Sequence, residues 1–257
     1  MKVCTVLNQK GGVGKTTTSA NLACVFAERG KRVLLIDLDP QAALTISLGF
    51  DPMDFETHMY HVLLRQATLA DVAIRTELDN LDLAPTSIDL CGIEAEMIRG
   101  GRGSGLTIGW EQILAKAIST LDNHYDLAII DTPPTFGCLL TNALVAASMA
   151  LIPGQCHYLS YRALEWLFPI LEDIKEVNPN IMVRIVRTML DKRTLHSREV
   201  SEKIVNTYPD LTLDTIIKLS IRAADATLDE KPVVIINPKS DVARNYRQLA
   251  DELEGVL

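Results

Sequence analysis

Short apolar, β-branched runs alternate along this chain with longer segments whose apolar positions recur at helical spacing. The runs Val3 to Leu7, Val33 to Ile36, Leu81 to Ala84, Leu127 to Ile130, Ala150 to Pro153, Met182 to Arg187 and Val233 to Ile236 predict strands. Several are apolar at every position, so helices should cover both of their faces. Amphipathic patterning predicts helices over Lys15 to Arg29, Met59 to Arg75, Trp110 to Leu121, Leu139 to Ala147, Arg162 to Val177, Arg198 to Thr207 and Asp241 to Glu254. The alternation predicts an α/β fold, a doubly wound, mostly parallel sheet flanked by helices. No internal repeat or linker divides it, and 257 residues suit one domain spanning 1–257. The glycine-rich stretch GGRGSG at 100–105 reads as a surface loop joining two helices, because no strand precedes it.

Composition narrows the classes. The longest nearly apolar stretch, Ala143 to Pro153, falls well short of the ~20 residues that span a bilayer. The opening residues lack the pattern of a secretory signal, so a cytoplasmic protein is expected. Cys4, Cys24, Cys91, Cys138 and Cys156 are scattered without a CxxC pair, which argues against a disulfide scaffold or a single-chain zinc site. The net charge of -8 is uneven. Residues 1–180 carry 13 Lys+Arg against 21 Asp+Glu, whereas residues 181–250 carry 12 against 9. Only the later segment has a charge balance that favours a polyanion.

The sharpest chemical signal is Gly11, Gly12, Val13, Gly14, Lys15 and Thr16, which follow a strand and open a helix. Such glycines let successive backbone N–H groups turn inward around phosphate oxygens, and the helix start adds its positive dipole end. Lys15 is placed for the β- and γ-phosphates, Thr16 for Mg²⁺, and Thr17 for the α-phosphate. Asp37 and Asp39 close the second strand in IDLDPQ, and Asp131 ends a later strand in LAIIDTPP. Asp131 is expected to meet magnesium through water, and Asp37 to hold magnesium or the loop. Thr132 and Pro133 stand where many phosphate-loop motors carry a water-orienting Glu after this Asp. Asp39 is therefore the candidate to orient the attacking water, and unassisted hydrolysis should be slow.

With these residues in place, the chain resembles the deviant Walker A branch of the phosphate-loop (P-loop) NTPases, specifically ParA/Soj-type partition ATPases. The resemblance rests on NQKGGVGKTTTSANLA (8–23), RVLLIDLDPQ (32–41), YDLAIIDTPPTFGCLLTNALVAAS (125–148), TMLDKRT (188–194) and NPKSDVARNYRQLADEL (237–253). It implies ATP hydrolysis with Mg²⁺, and a homodimer in the ATP state in which Lys10 reaches the partner's phosphates. It implies that the Thr132-Pro133-Pro134 turn senses the γ-phosphate, and that Met189 and Pro238 wall the base. It further implies binding of double-stranded DNA without sequence preference, a nucleoid location, and a ParB-like or adaptor protein that stimulates the ATPase. Arg193 and Arg222 stand where relatives contact DNA, with Arg184, Arg187, Lys192, Lys218, Lys239, Arg244 and Arg247 as further candidates. The sequence begins directly in the nucleotide-binding segment, matching relatives without an N-terminal helix-turn-helix extension. The acidic ending ADELEGVL is unlike the basic membrane helix of MinD relatives, so no membrane partner is expected.

Two other classes compete. An iron–sulfur ATPase resembling the nitrogenase iron protein would use Cys138 and Cys91, although no glycine-rich loop flanks Cys91. A metabolic kinase or ligase would turn over steadily without a macromolecular stimulator.

Overall fold

A computed structural model describes residues 1–100 and 109–256; most of the GGRGSG stretch lies outside the described residues. Eight strands form one sheet among them: β1 (Lys2–Val6), β2 (Val33–Asp37), β3 (Ile74–Arg75), β4 (Leu81–Ala84), β5 (Leu127–Asp131), β6 (Met149–Gln155), β7 (Met182–Leu190) and β8 (Thr212–Lys218). Their order is β3-β4-β2-β5-β1-β6-β7-β8. Every adjacent pair is parallel except β3 with β4. The helices in chain order are α1 (Lys15–Glu28), α2 (Ala43–Ile46), α3 (Met59–Leu63), α4 (Leu69–Val72), α5 (Ile93–Gly100), α6 (Ile113–Ser119), α7 (Cys138–Ala146), α8 (Tyr158–Val177), α9 (Leu195–Thr207), α10 (Ile221–Leu228), α11 (Val233–Ile236) and α12 (Asp241–Glu254).

The central strands bury both faces, as their unbroken apolar runs require. Val33, Leu35, Leu127 and Ile129 pack on one side with α1 and α12. Their alternates Leu34, Ile36, Ala128 and Ile130 pack on the other with α3, α4, α6 and α7. A third cluster joins Ala150, Ile152 and Ile185 to α8 and α9. Full burial of each such Leu or Ile contributes about 1.5–3 kcal/mol, and together they hold the strand ends in fixed register.

Three expectations need correction. Val233 to Ile236 is the single-turn helix α11 rather than a strand. A run of four apolar residues carries no usable period, and the N–H groups of Ile235 and Ile236 bond back to Pro232 while Val234 N–H donates to Asn21 Oδ1 on α1. The helix expected over Met59 to Arg75 is broken after α3, where Arg65 is left-handed at φ 59°. It restarts behind a capping box formed by Thr68 and Asp71 and ends in β3, which pairs with β4. β8 was not expected; its inward residues Leu213 and Ile217 are buried, but interleaved Thr and Asp weaken the apolar signal.

Candidate active site

Parallel strands deliver their following loops to one edge of a sheet, and the neighbours β1, β2 and β5 bring the candidate chemistry together there. Beyond β1 the backbone turns through Gly12 at φ 75° and Gly14 at φ 90°, left-handed conformations that cost a residue with a Cβ about 1–2 kcal/mol. A Cβ at Gly11 or Gly12 would meet no atom within 4 Å, so the space beside these two residues is open. Gly14 caps α1 without any side chain, which leaves the first N–H groups of the helix available to an anion.

Lys15 is 7% exposed. Burial lowers its pKa, opposed by the charges of Asp131 and Asp39. Asp131 is fully buried at the tip of β5, and both of its oxygens face α1. Thr16 Oγ1 donates to Oδ2 at 2.7 Å and Ser19 Oγ to Oδ1 at 3.0 Å. Burial pushes the Asp131 carboxyl up to about 6 despite these bonds. Asp37 lies opposite it on β2 and is pushed up to about 7, by burial first and by Asp131 second. Thr45 holds Asp37 Oδ2 with its N–H at 2.9 Å and its hydroxyl at 2.8 Å, and the N–H of Asp39 donates to Oδ1 at 3.1 Å.

Two buried carboxylates on adjacent strands need positive charge to stay ionised. Lys15 supplies one cation. The oxygens of Thr16 and Asp131 suit a hard divalent ion such as Mg²⁺, which keeps most of its shell for water and phosphate. No cluster of three His, Cys, Asp or Glu residues stands ready to cage a metal among the described residues, so such an ion would depend on the phosphates. Asp37 already accepts three hydrogen bonds, so its evident work is to hold the loop after β2. Asp39 is half-buried at the mouth of the site, with Oδ1 accepting from Gln41 N–H at 3.0 Å.

Lys10 N–H donates to Asn8 Oδ1 at 2.9 Å, while Asn8 Nδ2 donates to Pro153 O at 2.8 Å. The lysine's backbone is thereby tied to the end of β6. Thr132 Oγ1 donates to Val6 O at 2.8 Å, fixing the start of the Thr-Pro-Pro turn against β1. A cavity of about 270 Å³ opens beside the loop, with Val13, Gly14, Thr17, Met189 and Tyr246 in its wall. Met189 is itself left-handed at φ 52°. Pro238 is not part of this wall, and its carbonyl accepts from Arg247 Nη1 at 2.9 Å.

A larger cleft of about 770 Å³ adjoins that cavity, and both are walled by Lys218, Leu219, Ser220 and Val242. Six of the nine candidate DNA residues line it: Lys192, Arg193, Lys218, Arg222, Lys239 and Arg244. The other three lie elsewhere. Arg187 donates to Ser201 Oγ and to the carbonyls of Leu213 and Asp214. Arg184 donates to Val183 O beside a different cavity, and Arg247 bonds Glu28 on α1.

Four site residues escaped the sequence reasoning. Ser19 lies three positions after Thr16, on the same face of α1, a spacing that could have revealed it. Asn8 lies three residues before the first glycine of the loop. Thr45 and Thr188, whose hydroxyl donates to Val13 O at 2.9 Å, had no local signal. Of the cluster candidates, Cys91 is exposed, and burial with the nearby Glu94 pushes the Cys138 thiol up to about 12, away from the thiolate that iron–sulfur ligation uses.

A glycine loop at a strand-to-helix turn, with a buried lysine and strand-end carboxylates, defines a nucleotide-binding phosphate-loop protein. The comparisons with known proteins make that class specific. An AAA domain family model matches residues 1–183. The chain is 37% identical over 254 residues to the sporulation initiation inhibitor protein Soj of Bacillus subtilis, covering 98% of each. It is 35% identical to the chromosome partitioning protein ParA of Caulobacter vibrioides, covering 98% of this chain and 94% of that one. Among solved structures, a cobyrinic acid a,c-diamide synthase from Mycobacterium smegmatis with bound ATP analogue and magnesium superposes with a TM-score of 0.84. That likeness is at 35% identity and covers 98% of this chain and 94% of the other. The chain belongs to the ParA/MinD-type family of partition ATPases.

Proposed function

We propose that this chain is a positioning ATPase that, as an ATP-bound dimer, grips DNA without sequence preference and lets go when a partner protein stimulates hydrolysis. The observation that carries the reading is the gathering of six cationic side chains in one cleft, directly beside the nucleotide cavity. Lys15 and the N–H groups of residues 11–17 bind the phosphates. Thr16, and Asp131 through water, would hold magnesium, which would supply charge neutralisation to the phosphates. Asp37 fixes the loop that presents Asp39, and Asp39 orients the attacking water. Lys10, with its backbone tied to Asn8, reaches across a two-fold axis to the partner's phosphates, where two terminal phosphates face to face would otherwise repel. ATP then joins two weak DNA clefts into one divalent grip, so its affinity rises by avidity rather than by remodelling either cleft. A ParB-like or adaptor protein would set the lifetime of the grip, and the nucleoid would be its surface.

Filter retention of duplex DNA tests this directly. Retention is expected with a non-hydrolysable ATP analogue and magnesium, and not with ADP, alongside sedimentation as a dimer only in the first condition. Equal retention in both nucleotides would remove the switch. One observation favours a second reading: the Mycobacterium smegmatis protein that superposes on this chain at 35% identity is a cobyrinic acid a,c-diamide synthase. ATP turnover that depends on cobyrinic acid and an amide donor, and ignores DNA, would establish it instead.

A further inference from the structure

The basic cleft is not uniformly basic. Two carboxylates, Asp191 and Asp241, line it among the six cations, and each is paired with one of its arginines. Arg193 embraces Asp191 through Nε at 2.9 Å and Nη2 at 2.8 Å, the two-pronged geometry with which a guanidinium grasps a phosphate. Arg244 Nη2 pairs with Asp241 one turn along α12, and its Nη1 donates to Lys239 O at 2.6 Å. Asp191 is anchored from behind: its N–H donates to Ser197 Oγ at 3.1 Å, while its Oδ1 also accepts from Arg193 N–H at 3.0 Å. Its side chain is 20% exposed against 85% for Arg193, so the acid is the enclosed partner and the arginine the one open to solvent.

We propose that Asp191 and Asp241 act as built-in phosphate mimics that occupy the cleft's two paired arginines and keep a single subunit below the affinity needed to retain DNA. The inference rests on the DNA-gripping reading above and adds its regulation. Exposed ion pairs are weak, so strong latching is not required. The carboxylates lower the local charge whether or not the pairs stay closed, and a phosphate must either displace them or share the arginine. Each masked cation removes one counterion-releasing contact. Its loss flattens the dependence of log affinity on log salt by about 0.9. Over the decade from ~1 M to ~0.1 M salt, that slope corresponds to about 8-fold in affinity per cation, or about 60-fold for two. A monomer weakened by this amount depends on the second subunit to hold DNA, and so the two acids make DNA retention contingent on the nucleotide.

The test measures binding of a labelled duplex to full-length wild type, Asp191→Asn, Asp241→Asn, the double variant and Asp191→Glu, each with ADP and with a non-hydrolysable ATP analogue and magnesium. In ADP, each Asn substitution should steepen the salt slope by about 0.9, and the double variant should bind about 60-fold more tightly near 0.1 M salt. The double variant should retain DNA as a single subunit, uncoupling retention from ATP. Asp191→Glu keeps the charge and should resemble wild type. ATPase activity without DNA and sedimentation in the ATP analogue check that each variant is folded, since neither acid lies in the nucleotide site. Unchanged or flatter slopes in folded Asn variants would overturn the proposal and make the acids positioning groups for the arginines. A double variant that retains no DNA in either nucleotide also overturns it. Should wild type itself ignore nucleotide state, the failure would instead lie with the dimer switch.

Discussion

Thr45→Val isolates the hydroxyl that holds the buried carboxylate of Asp37. The substitution nearly preserves shape and leaves the Thr45 N–H bond to Oδ2 at 2.9 Å in place, removing the Oγ1 donor at 2.8 Å together with a longer bond, at 3.4 Å, that Oγ1 accepts from Thr86 N–H and that does not depend on the charge of Asp37. The value of that donor depends on the charge it meets. A hydrogen bond to an ionised group contributes about 1.5–3 kcal/mol and one to a neutral partner about 0.5–1.5 kcal/mol. Asp37 is pushed up to about 7 in the folded chain, against about 3.9 for an unperturbed Asp. The folded state therefore holds this proton more tightly than the unfolded one. Asp37 favours folding below the unfolded value, and this contribution is lost as pH rises from about 4 to about 7. Thr45 limits the loss by stabilising the charged form, so its removal should cost more at pH 8 than at pH 5. The expected destabilisation is about 1 kcal/mol at pH 5 and about 2 kcal/mol at pH 8. Urea unfolding of the nucleotide-free protein in both buffers measures the two values. Equal losses at both pH values would refute the reasoning, because the hydroxyl would then be meeting the same protonation state throughout.

Other perturbations probe the remaining parts of the site. Lys15→Ala removes the buried cation from the phosphate loop and should abolish nucleotide binding in calorimetry. Asp39→Ala should still bind ATP but remain dimeric with turnover suppressed; rapid turnover would assign the water-orienting role elsewhere. Gly14→Ala forces a Cβ into φ 90° with Met189 Cε 3.7 Å away, and should lower stability by about 1–2 kcal/mol in a urea titration. Leu35→Ala, in the fully buried centre of β2, should cost about 2–5 kcal/mol in the same assay while leaving residual nucleotide affinity in the folded fraction.

What the sequence disclosed follows the range of the forces involved. The phosphate loop was legible because its chemistry is local: glycine conformations, a helix start and one lysine lie within six residues. The central strands were legible because burial on both faces writes an unbroken apolar run, as in β2, whose five residues are all buried. The edge strand β8 was hidden because only two of its seven residues, Leu213 and Ile217, are buried, and α11 was misread because Val234, Ile235 and Ile236 satisfy their N–H groups through Asn21 and Pro232 rather than through a sheet. Thr45 and Thr188 could not be found from spacing. Their roles exist only after the chain brings residue 45 beneath Asp37 and residue 188 beside Val13, 175 positions away.

The arrangement also explains why a protein with so few basic residues to spare concentrates them where it does. β7 and β8 end on the same edge of the sheet as the phosphate loop, so the residues at their ends and just beyond, Lys192, Arg193 and Lys218 to Arg222, lie in the cleft that adjoins the nucleotide cavity. Asp241 and Arg244 join them because α12 starts against the end of β8, where Asn245 Oδ1 accepts from Lys218 N–H at 3.3 Å. Parallel topology thus fixes the distance between the nucleotide and the cleft, without any dedicated linker. A second subunit apposed through its nucleotide would place its own cleft at an equally fixed separation. Under the proposed function, the grip should be sensitive to rotation of one subunit against the other, and loss of the γ-phosphate would need only to loosen that apposition, not to reshape either cleft, for DNA to be released.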